Sequence, residues 1–376
     1  VDDGTILIQE GNGLILGPYE WQATPHWLKE GTPDDFSFQL YPDDLERLEW
    51  YINAACERVP MLATGGVQKV INGPIPYAPD GMPLVGPAPG LTNFFEACVF
   101  TFGICQAGGA GKVIAEYIVE GETELDLWFM DPRRYTDYAT KTYATLKAIE
   151  VYQNEYAMHT PHRVWPEGRP AKTSPLYDRL MAAGAQFGAF GGWERPLWFA
   201  REGDRAEQDL TYGRPHFDDA IAAEVKTVTE AAGLLDLTGF TRFELSGEGA
   251  SEWLDGMNTG VLPRLGRVSL AYFCAESGRV ITELTITRLA EERYWLIGPA
   301  AGYWHDRDWL QQHMPQDGSV VLEDITARYG TLVLAGPKSR DILAAIADED
   351  PVSYTHLRAH ETRYVISYAV FCLKRG

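Results

Sequence analysis

Residues 71–121 narrow the possible folds of this chain furthest, because they set three signals in one order. A proline- and glycine-rich turn runs from Pro76 to Gly81. An apolar strand is expected over residues 94–100, and a small-residue loop over residues 103–111 opens a helix that ends near Val119. A strand that delivers the chain straight into a helix start leaves first-turn backbone N–H groups unpaired. The helix dipole adds positive potential at the same place, so the arrangement builds an anion site. Ala107, Gly108, Gly109 and Gly111 carry almost no side chain, which lets a flat ligand or another backbone approach closely.

The length of 376 residues suggests two or three domains. A formal net charge of −21 argues against nucleic acid and anionic membrane as partners. No run of about 18 apolar residues is present, so no membrane span is expected. The opening VDDGTILIQEG lacks the charged and apolar regions of a signal peptide. It starts without Met in what reads as mid-strand, so the chain is expected to be a piece whose N-terminal part is missing. Cys56, Cys98, Cys105, Cys274 and Cys372 are odd in number and scattered, with no CxxC pair and no Cys/His cluster. They support neither a disulfide framework nor a zinc site and suit a reducing compartment, the cytoplasm or, in a eukaryote, the mitochondrial matrix.

Along the chain, residues 5–9 and 14–16 read as short strands turned at Gly11 and Gly13. Gly11, Gly13 and Gly17 loosely imitate a dinucleotide fingerprint, but the spacing is off by one and Pro18 follows instead of a helix. Leu45, Leu48, Tyr51, Ile52 and Ala55 share a face of an expected helix over residues 43–58. Residues 67–71 read as a strand, 136–156 as a helix, 159–173 as a proline-broken linker, and 177–183 as a short helix. Trp193, Glu194 and Arg195 form an aromatic and charged knot expected at a joint between domains. A helix is expected over 217–232. Strand, small-residue turn and helix then recur three times, at 243–254, 294–313 and 331–346, with a hairpin of strands 268–274 and 279–287 between the first two. These repeats argue for an α+β domain. Residues 351–376 carry Arg358, Arg363, Lys374 and Arg375 against Glu361 alone, and their wording resembles translated adapter read-through. They are expected to be a non-native tail, so His356 and His360 are not read as ligands.

From the residues alone, the strand-to-helix turn suits an isoalloxazine ring, which is flat and gains negative charge at its pyrimidine edge on reduction. Tight strand–helix packing in any α/β protein is the other reading of the same glycines. Glu283 stands among Ile281, Leu284 and Ile286, so its carboxylate is expected in a partly dry pocket, where a raised pKa suits proton handling. A solvated strand glutamate is the plainer alternative. Tyr272, one strand earlier, could stack on a flat ligand or pack in the core.

The strings GPYE (17–20), NGPIPYAPDGMPLVGPAPG (72–90), FTFGICQAGGAGK (100–112), DLWFMDPRRY (126–135), GWERPLWF (192–199), LLDLTGFTRFELSG (234–247), GRVITELTITRL (278–289) and YGTLVLAGPKSRDIL (329–343) resemble the dimethylglycine/sarcosine dehydrogenase family. The resemblance covers residues 1 to about 350. It implies an α+β multidomain protein: the C-terminal part of an FAD-dependent oxidoreductase (an α/β FAD part plus a β-sheet substrate part), then an α+β folate-binding domain of the glycine-cleavage T-protein type. It implies a division into 1–135 (oxidoreductase), 136–200 (linker or central domain), 201–350 (folate-binding domain, incomplete) and 351–376 (tail). It also implies that Phe100, Thr101, Phe102, Gly103, Ile104 and Cys105 contact FAD near the ring. Glu283, Leu284 and Thr285 would lie on tetrahydrofolate, with Glu283 catalytic beside the nucleophilic folate nitrogen; Tyr272 is expected, from its own position one strand earlier, to stack on the same cofactor. Related aminomethyltransferases carry Asp at that position, which leaves the reach of Glu283 open.

The implied function is oxidative demethylation of an N-methylated glycine, dimethylglycine or sarcosine, with the one-carbon unit passed to tetrahydrofolate. An electron-transferring flavoprotein is a possible partner, and neither nucleic acid nor membrane is expected. The alternative is a folate-dependent aminomethyltransferase-type protein, or a folate binder, without oxidoreductase activity. The dinucleotide fingerprint is absent from these residues, so this piece is expected neither to hold FAD firmly nor to turn over.

Overall fold

The computed structural model describes residues 5–21, 24–157, 159–346 and 368–374, the last stretch for its backbone only. The chain divides into two units, Val1–Ala171 and Lys172–Gly376.

In the first unit, β1 (Thr5–Glu10) and β2 (Gly13–Pro18) form an antiparallel hairpin with Glu10 opposite Gly13. Helix α1 (Leu45–Arg58) starts at Asp44, whose Oδ1 accepts from the Arg47 N–H at 3.0 Å, and it buries Tyr51. The strand expected over residues 67–71 does not form, and among the described residues no strand lies beside it. Asn72 anchors the segment instead: its carbonyl accepts from the Tyr41 N–H at 2.7 Å and its side-chain amide donates to the Pro42 carbonyl at 2.8 Å. Strands β3 (Leu84–Pro87) and β4 (Phe95–Cys98) pair antiparallel and lead into α2 (Gly103–Val119). Helix α3 (Lys141–Asn154) is capped by Thr140, whose hydroxyl accepts from the Tyr143 N–H at 3.2 Å.

In the second unit, α4 (Tyr177–Ala182) precedes a hairpin of β5 (Ala185–Phe190) and β6 (Trp193–Phe199), so the aromatic knot is strand. Helix α5 (Asp218–Glu230) and β7 (Gly233–Asp236) follow. Then come β8 (Thr241–Ser246), α6 (Ala250–Met257), β9 (Val268–Cys274), β10 (Val280–Ala290), β11 (Arg293–Gly298) and α7 (Tyr303–Gln312). The chain continues through β12 (Val321–Asp324), β13 (Tyr329–Ala335) and α8 (Ser339–Ile346) to β14 (Tyr368–Lys374). An antiparallel sheet has the order β12-β8-β11-β10-β9, and a second sheet has the order β14-β13-β7. The α+β reading therefore holds. Of the segment set aside as a tail, residues 351–367, with His356 and His360, lie outside the described residues, and Tyr368–Lys374 pairs with β13.

All three strand–turn–helix repeats form, as β8–α6, β11–α7 and β13–α8. Two of their turns need glycine. Gly247 has a φ of +121, and a Cβ there would lie 2.2 Å from the Ser319 carbonyl oxygen; Gly336 has a φ of +108, with a Cβ 2.5 Å from the Val228 carbonyl oxygen. One face of the five-stranded sheet is the core, where Phe243, Leu245, Leu284, Ile286 and Leu296 pack on Leu254, Trp309 and Leu310 of α6 and α7. Each such fully buried side chain contributes roughly 1.5–3 kcal/mol of transfer free energy. Arg242 bolts the two sheets together from a fully buried position. Its guanidinium donates to Thr331 Oγ1 at 2.5 Å on β13, and to the Thr238 and Thr326 carbonyls at 2.9 and 2.7 Å.

Candidate functional site

The turn between β4 and α2 is tighter than the sequence suggests. Val99 carries a φ of +59, a left-handed conformation that costs a β-branched residue energy and persists only where its surroundings hold it. Phe100 and Phe102 are half-buried, and Thr101 donates from Oγ1 to the Pro76 carbonyl at 2.9 Å. That bond fastens the turn to the proline-rich string 72–90.

The helix opens at Gly103, not after a loop. Residues 103–111, expected as that loop, are its first turns, because the first intrahelical bond already forms from the Gln106 N–H to the Phe102 carbonyl at 3.2 Å. The amides left without an intrahelical acceptor are those of Gly103, Ile104 and Cys105. Gly108, Gly109 and Gly111 have bonded amides, and a Cβ at each would meet nothing within 4 Å. They therefore present a bare helix face, not a cradle. Ile104 is 98% exposed and Cys105 is exposed, so the helix start is open. Gln106 adds a group without an assigned role in the sequence reading: its Oε1 is buried without a hydrogen-bond partner among the described residues. The signal for it was a single amide side chain in a first turn of small residues. Open first-turn amides with one orphaned acceptor beside them suit a flat group that gains negative charge at one edge and carries a donor.

In the second unit Glu283 of β10 lies directly opposite Tyr272 of β9. Both face outward. Tyr272 is 43% exposed, and the Glu283 side chain is exposed and forms no ion pair or hydrogen bond among the described residues. The partly dry pocket expected around Glu283 is not there. Strand alternation turns Leu284 and Ile286 to the opposite face, where both are fully buried in the core. The structure thus brings Glu283, Thr285 and Tyr272 onto one surface and sends the Leu284 side chain away from them. The Thr259 N–H and hydroxyl both bond to the Tyr272 carbonyl at 3.1 Å, which holds loop 258–260 beside this face.

Trp193, Glu194 and Arg195 line a separate enclosed cavity of about 150 Å3 with Ser174, Asp236 and Gly239. Ser174 donates to the Asp236 carboxylate, which also accepts from the Thr238 N–H at 2.9 Å. Burial pushes the neighbouring Lys172 ammonium down to about 8. Among the described residues, no group of three or more His, Cys, Asp or Glu side chains is arranged to hold a metal, and no helix is long and apolar enough to cross a membrane.

Known families match the chain in three consecutive pieces. They are described as FAD dependent oxidoreductase (residues 1–117), FAD dependent oxidoreductase central domain (120–174) and GCVT N-terminal domain (176–373). The expected division at 135, 200 and 350 differs from these limits. Human mitochondrial dimethylglycine dehydrogenase is 34% identical over 350 residues, which take in 92% of this chain and 40% of that protein. The mitochondrial pyruvate dehydrogenase phosphatase regulatory subunit of mouse is 30% identical over 354 residues, 92% of this chain and 40% of that protein. Human mitochondrial sarcosine dehydrogenase is 30% identical over 395 residues, 93% of this chain and 42% of that protein. The chain spans about two fifths of the length of these relatives.

Proposed function

Since the chain belongs to the dimethylglycine/sarcosine dehydrogenase family, whose FAD-dependent oxidoreductase part precedes a T-protein-like domain, we propose that it serves oxidative demethylation of an N-methylated glycine. The one-carbon unit passes to tetrahydrofolate. The cofactors of these domains are FAD and tetrahydrofolate. When bound, FAD supplies the hydride acceptor for the N-methyl carbon, which leaves the amine as an iminium ion.

What this chain contributes is electrostatic and positional. The open amides of Gly103, Ile104 and Cys105 offer donors and the positive end of a 17-residue helix to the ring edge that gains charge. Thr101 holds the turn in register through Pro76. On the second unit, Tyr272 offers a ring face for a heterocycle, and Glu283 offers a carboxylate beside it to hold the proton of the attacking nitrogen. An exposed carboxylate does this only once ligand covers it, so bound folate completes the dry environment that the strand alone does not supply. Capture of the iminium by tetrahydrofolate releases the demethylated amine, whereas capture by water gives formaldehyde. Joining both activities on one polypeptide favours the first outcome.

The observation that carries the proposal is the strand-to-helix turn with three open amides inside the piece matched as FAD dependent oxidoreductase. The test uses the protein extended to the full length of its relatives. Anaerobic dimethylglycine or sarcosine should bleach its flavin absorbance, and tetrahydrofolate should suppress formaldehyde release in turnover. No bleaching with either amine in a flavin-loaded protein sinks the oxidoreductase reading. The present chain alone is proposed to bind FAD weakly, and a yellow, stoichiometric preparation would contradict that. The match to a regulatory subunit favours one second reading, a binding protein without oxidation. Folate binding without bleaching would select it.

A further inference from the structure

Residues 66–83 contain Pro76, whose carbonyl receives the Thr101 bond, yet they form neither helix nor strand. No backbone ladder fixes Pro76, so side chains set where it lies. Asn72 anchors the stretch on one side of it through Tyr41 and Pro42. On the other side a turn closes from the Gly81 N–H to the Ala78 carbonyl at 3.0 Å, with Gly81 at a φ of +76.

That second turn is gripped from 54 residues further along the chain. Arg134 donates from Nε and Nη2 to the two Asp80 carboxylate oxygens at 2.7 and 2.9 Å, and from Nη2 to the Met82 carbonyl at 2.9 Å. The Tyr135 hydroxyl accepts from the Asp80 N–H at 3.2 Å. The Arg134 side chain is 14% exposed, so this two-pronged, charge-assisted contact is largely shielded from water. Arg134 is itself held in place. Its Nη1 donates to the Asp131 carbonyl at 3.1 Å, and its guanidinium lies over the Tyr135 ring at 4.5 Å. Buried Asp131 accepts from the Arg133 N–H at 2.8 Å, which fixes the short turn that presents Arg134. Next to it, Pro132 backs β3 and α2: a Cβ at Gly86 would lie 3.4 Å from Pro132 Cδ and 3.7 Å from the Tyr117 ring. The two sides of the grip fall in different matched pieces. Asp80 and Thr101 lie in the piece matched as FAD dependent oxidoreductase, and Arg134 lies in the piece matched as its central domain.

We propose that Arg134 is a positioning residue for the flavin. Through Asp80, Pro76 and Thr101 it sets the aim of the Gly103, Ile104 and Cys105 amides. The central-domain piece thereby tunes the electron-accepting end of the reaction without touching the cofactor. This rests on the reading of the β4–α2 turn as the flavin site in oxidative demethylation. Lysine cannot replace Arg134, because a single ammonium does not span both Asp80 oxygens and the Met82 carbonyl in one plane.

The first test is amide hydrogen exchange of the full chain, read over peptides 77–84, 100–108 and 142–153, and it needs no cofactor. Arg134→Lys keeps the charge and loses the fork, whereas Asp80→Asn keeps the shape and loses the charge. Each should raise exchange about tenfold in 77–84 and 100–108. The α3 peptide 142–153 should match the parent, which shows that the unit is still folded. The double variant should add little to either single one, because both act through one contact. The second test is a redox titration of the FAD-loaded protein extended to the full length of its relatives. Amides aimed at the edge that gains charge favour reduced flavin. Each variant should therefore lose affinity for reduced FAD about tenfold more than for oxidised FAD, a midpoint potential lower by about 30 mV for two electrons. A purely structural role would weaken both redox forms alike and leave the potential where it was. Exchange that rises in 77–84 alone, or a potential that does not move, overturns the proposal. A flavin that amine never bleaches, in a protein whose variants still shift exchange and potential, would sink the oxidation reading and leave the grip standing. Normal bleaching in parent and variants with an unmoved potential would do the reverse.

Discussion

Thr101 Oγ1 donates to the Pro76 carbonyl oxygen over 2.9 Å, so one hydroxyl ties the turn that opens α2 to the proline-rich segment in front of β3. Thr101→Val keeps the shape and removes the donor. The loss is about 1 kcal/mol of local stability, and it frees the turn that aims three amides. In the full-length protein the FAD dissociation constant should rise about fivefold, while Thr101→Ser stays near the parent value. Spectral titration with FAD measures both. Unchanged affinity in the valine variant would show that the turn does not depend on this bond.

Glu283 and Tyr272 lie opposite each other across β9 and β10, both on the exposed face of the sheet. Glu283→Gln should lower methylene-tetrahydrofolate formation at least about tenfold and raise formaldehyde, with flavin bleaching by amine unaffected. Tyr272→Leu should weaken tetrahydrofolate binding by about 1 kcal/mol, read as a roughly fivefold higher dissociation constant. Product partition and calorimetry check the pair. Variants that keep normal partition and affinity would move the folate site elsewhere.

Gly247 is required where Gly108 is not. At Gly247 a Cβ would lie 2.2 Å from the Ser319 carbonyl oxygen with φ at +121, whereas Gly108 sits inside α2 with nothing within 4 Å of its Cβ position. Gly247→Ala should destabilise the second unit by roughly 2–4 kcal/mol, because backbone has to move. Gly108→Ala should stabilise this chain by about 0.5–1 kcal/mol through helix propensity. Urea unfolding, followed by circular dichroism, distinguishes the two signs.

Lys172 gives a pH signature. Burial pushes its ammonium down to about 8, so the folded protein carries a desolvated charge below that pH. Between about 8 and 10.4 the unfolded chain binds more protons than the folded one, and stability contributed by this group rises with pH. Lys172→Met should therefore stabilise the protein at pH 7, with the gain shrinking steadily above pH 8 and gone near pH 10.5. The difference in urea midpoints across that range tests it. A gain independent of pH would assign the effect to packing against Trp193.

Much of the architecture is legible in local pattern. The hairpin of β9 and β10, the helices α1 and α3, and all three strand–turn–helix repeats follow from periodicity and turn residues. These act over a few residues and carry their own stabilisation. The candidate site is legible only in part. The run 103–111 reads as a loop because glycine disfavours helix. It is helical because β4 delivers the chain there and the Gln106 amide finds the Phe102 carbonyl. The sequence signals only that an amide side chain stands at Gln106; that its oxygen is buried, and that Val99 is left-handed, arise from what surrounds them.

Residue order alone settles most of the hairpins and helices, because spacing of apolar side chains and the chemistry of Gly, Pro, Asp and Thr operate within one or two turns of chain. Partnership between distant strands lies beyond its reach. The three repeats look alike, yet β8 and β11 enter one sheet and β13 another, and residues 67–71 pair with no strand among the described residues. Likewise, whether Glu283 is dry or wet depends on which face of β10 the helices cover. Pairing and coverage are long-range outcomes of burying one face against whichever surface is available, so they emerge when the chain is folded and not before.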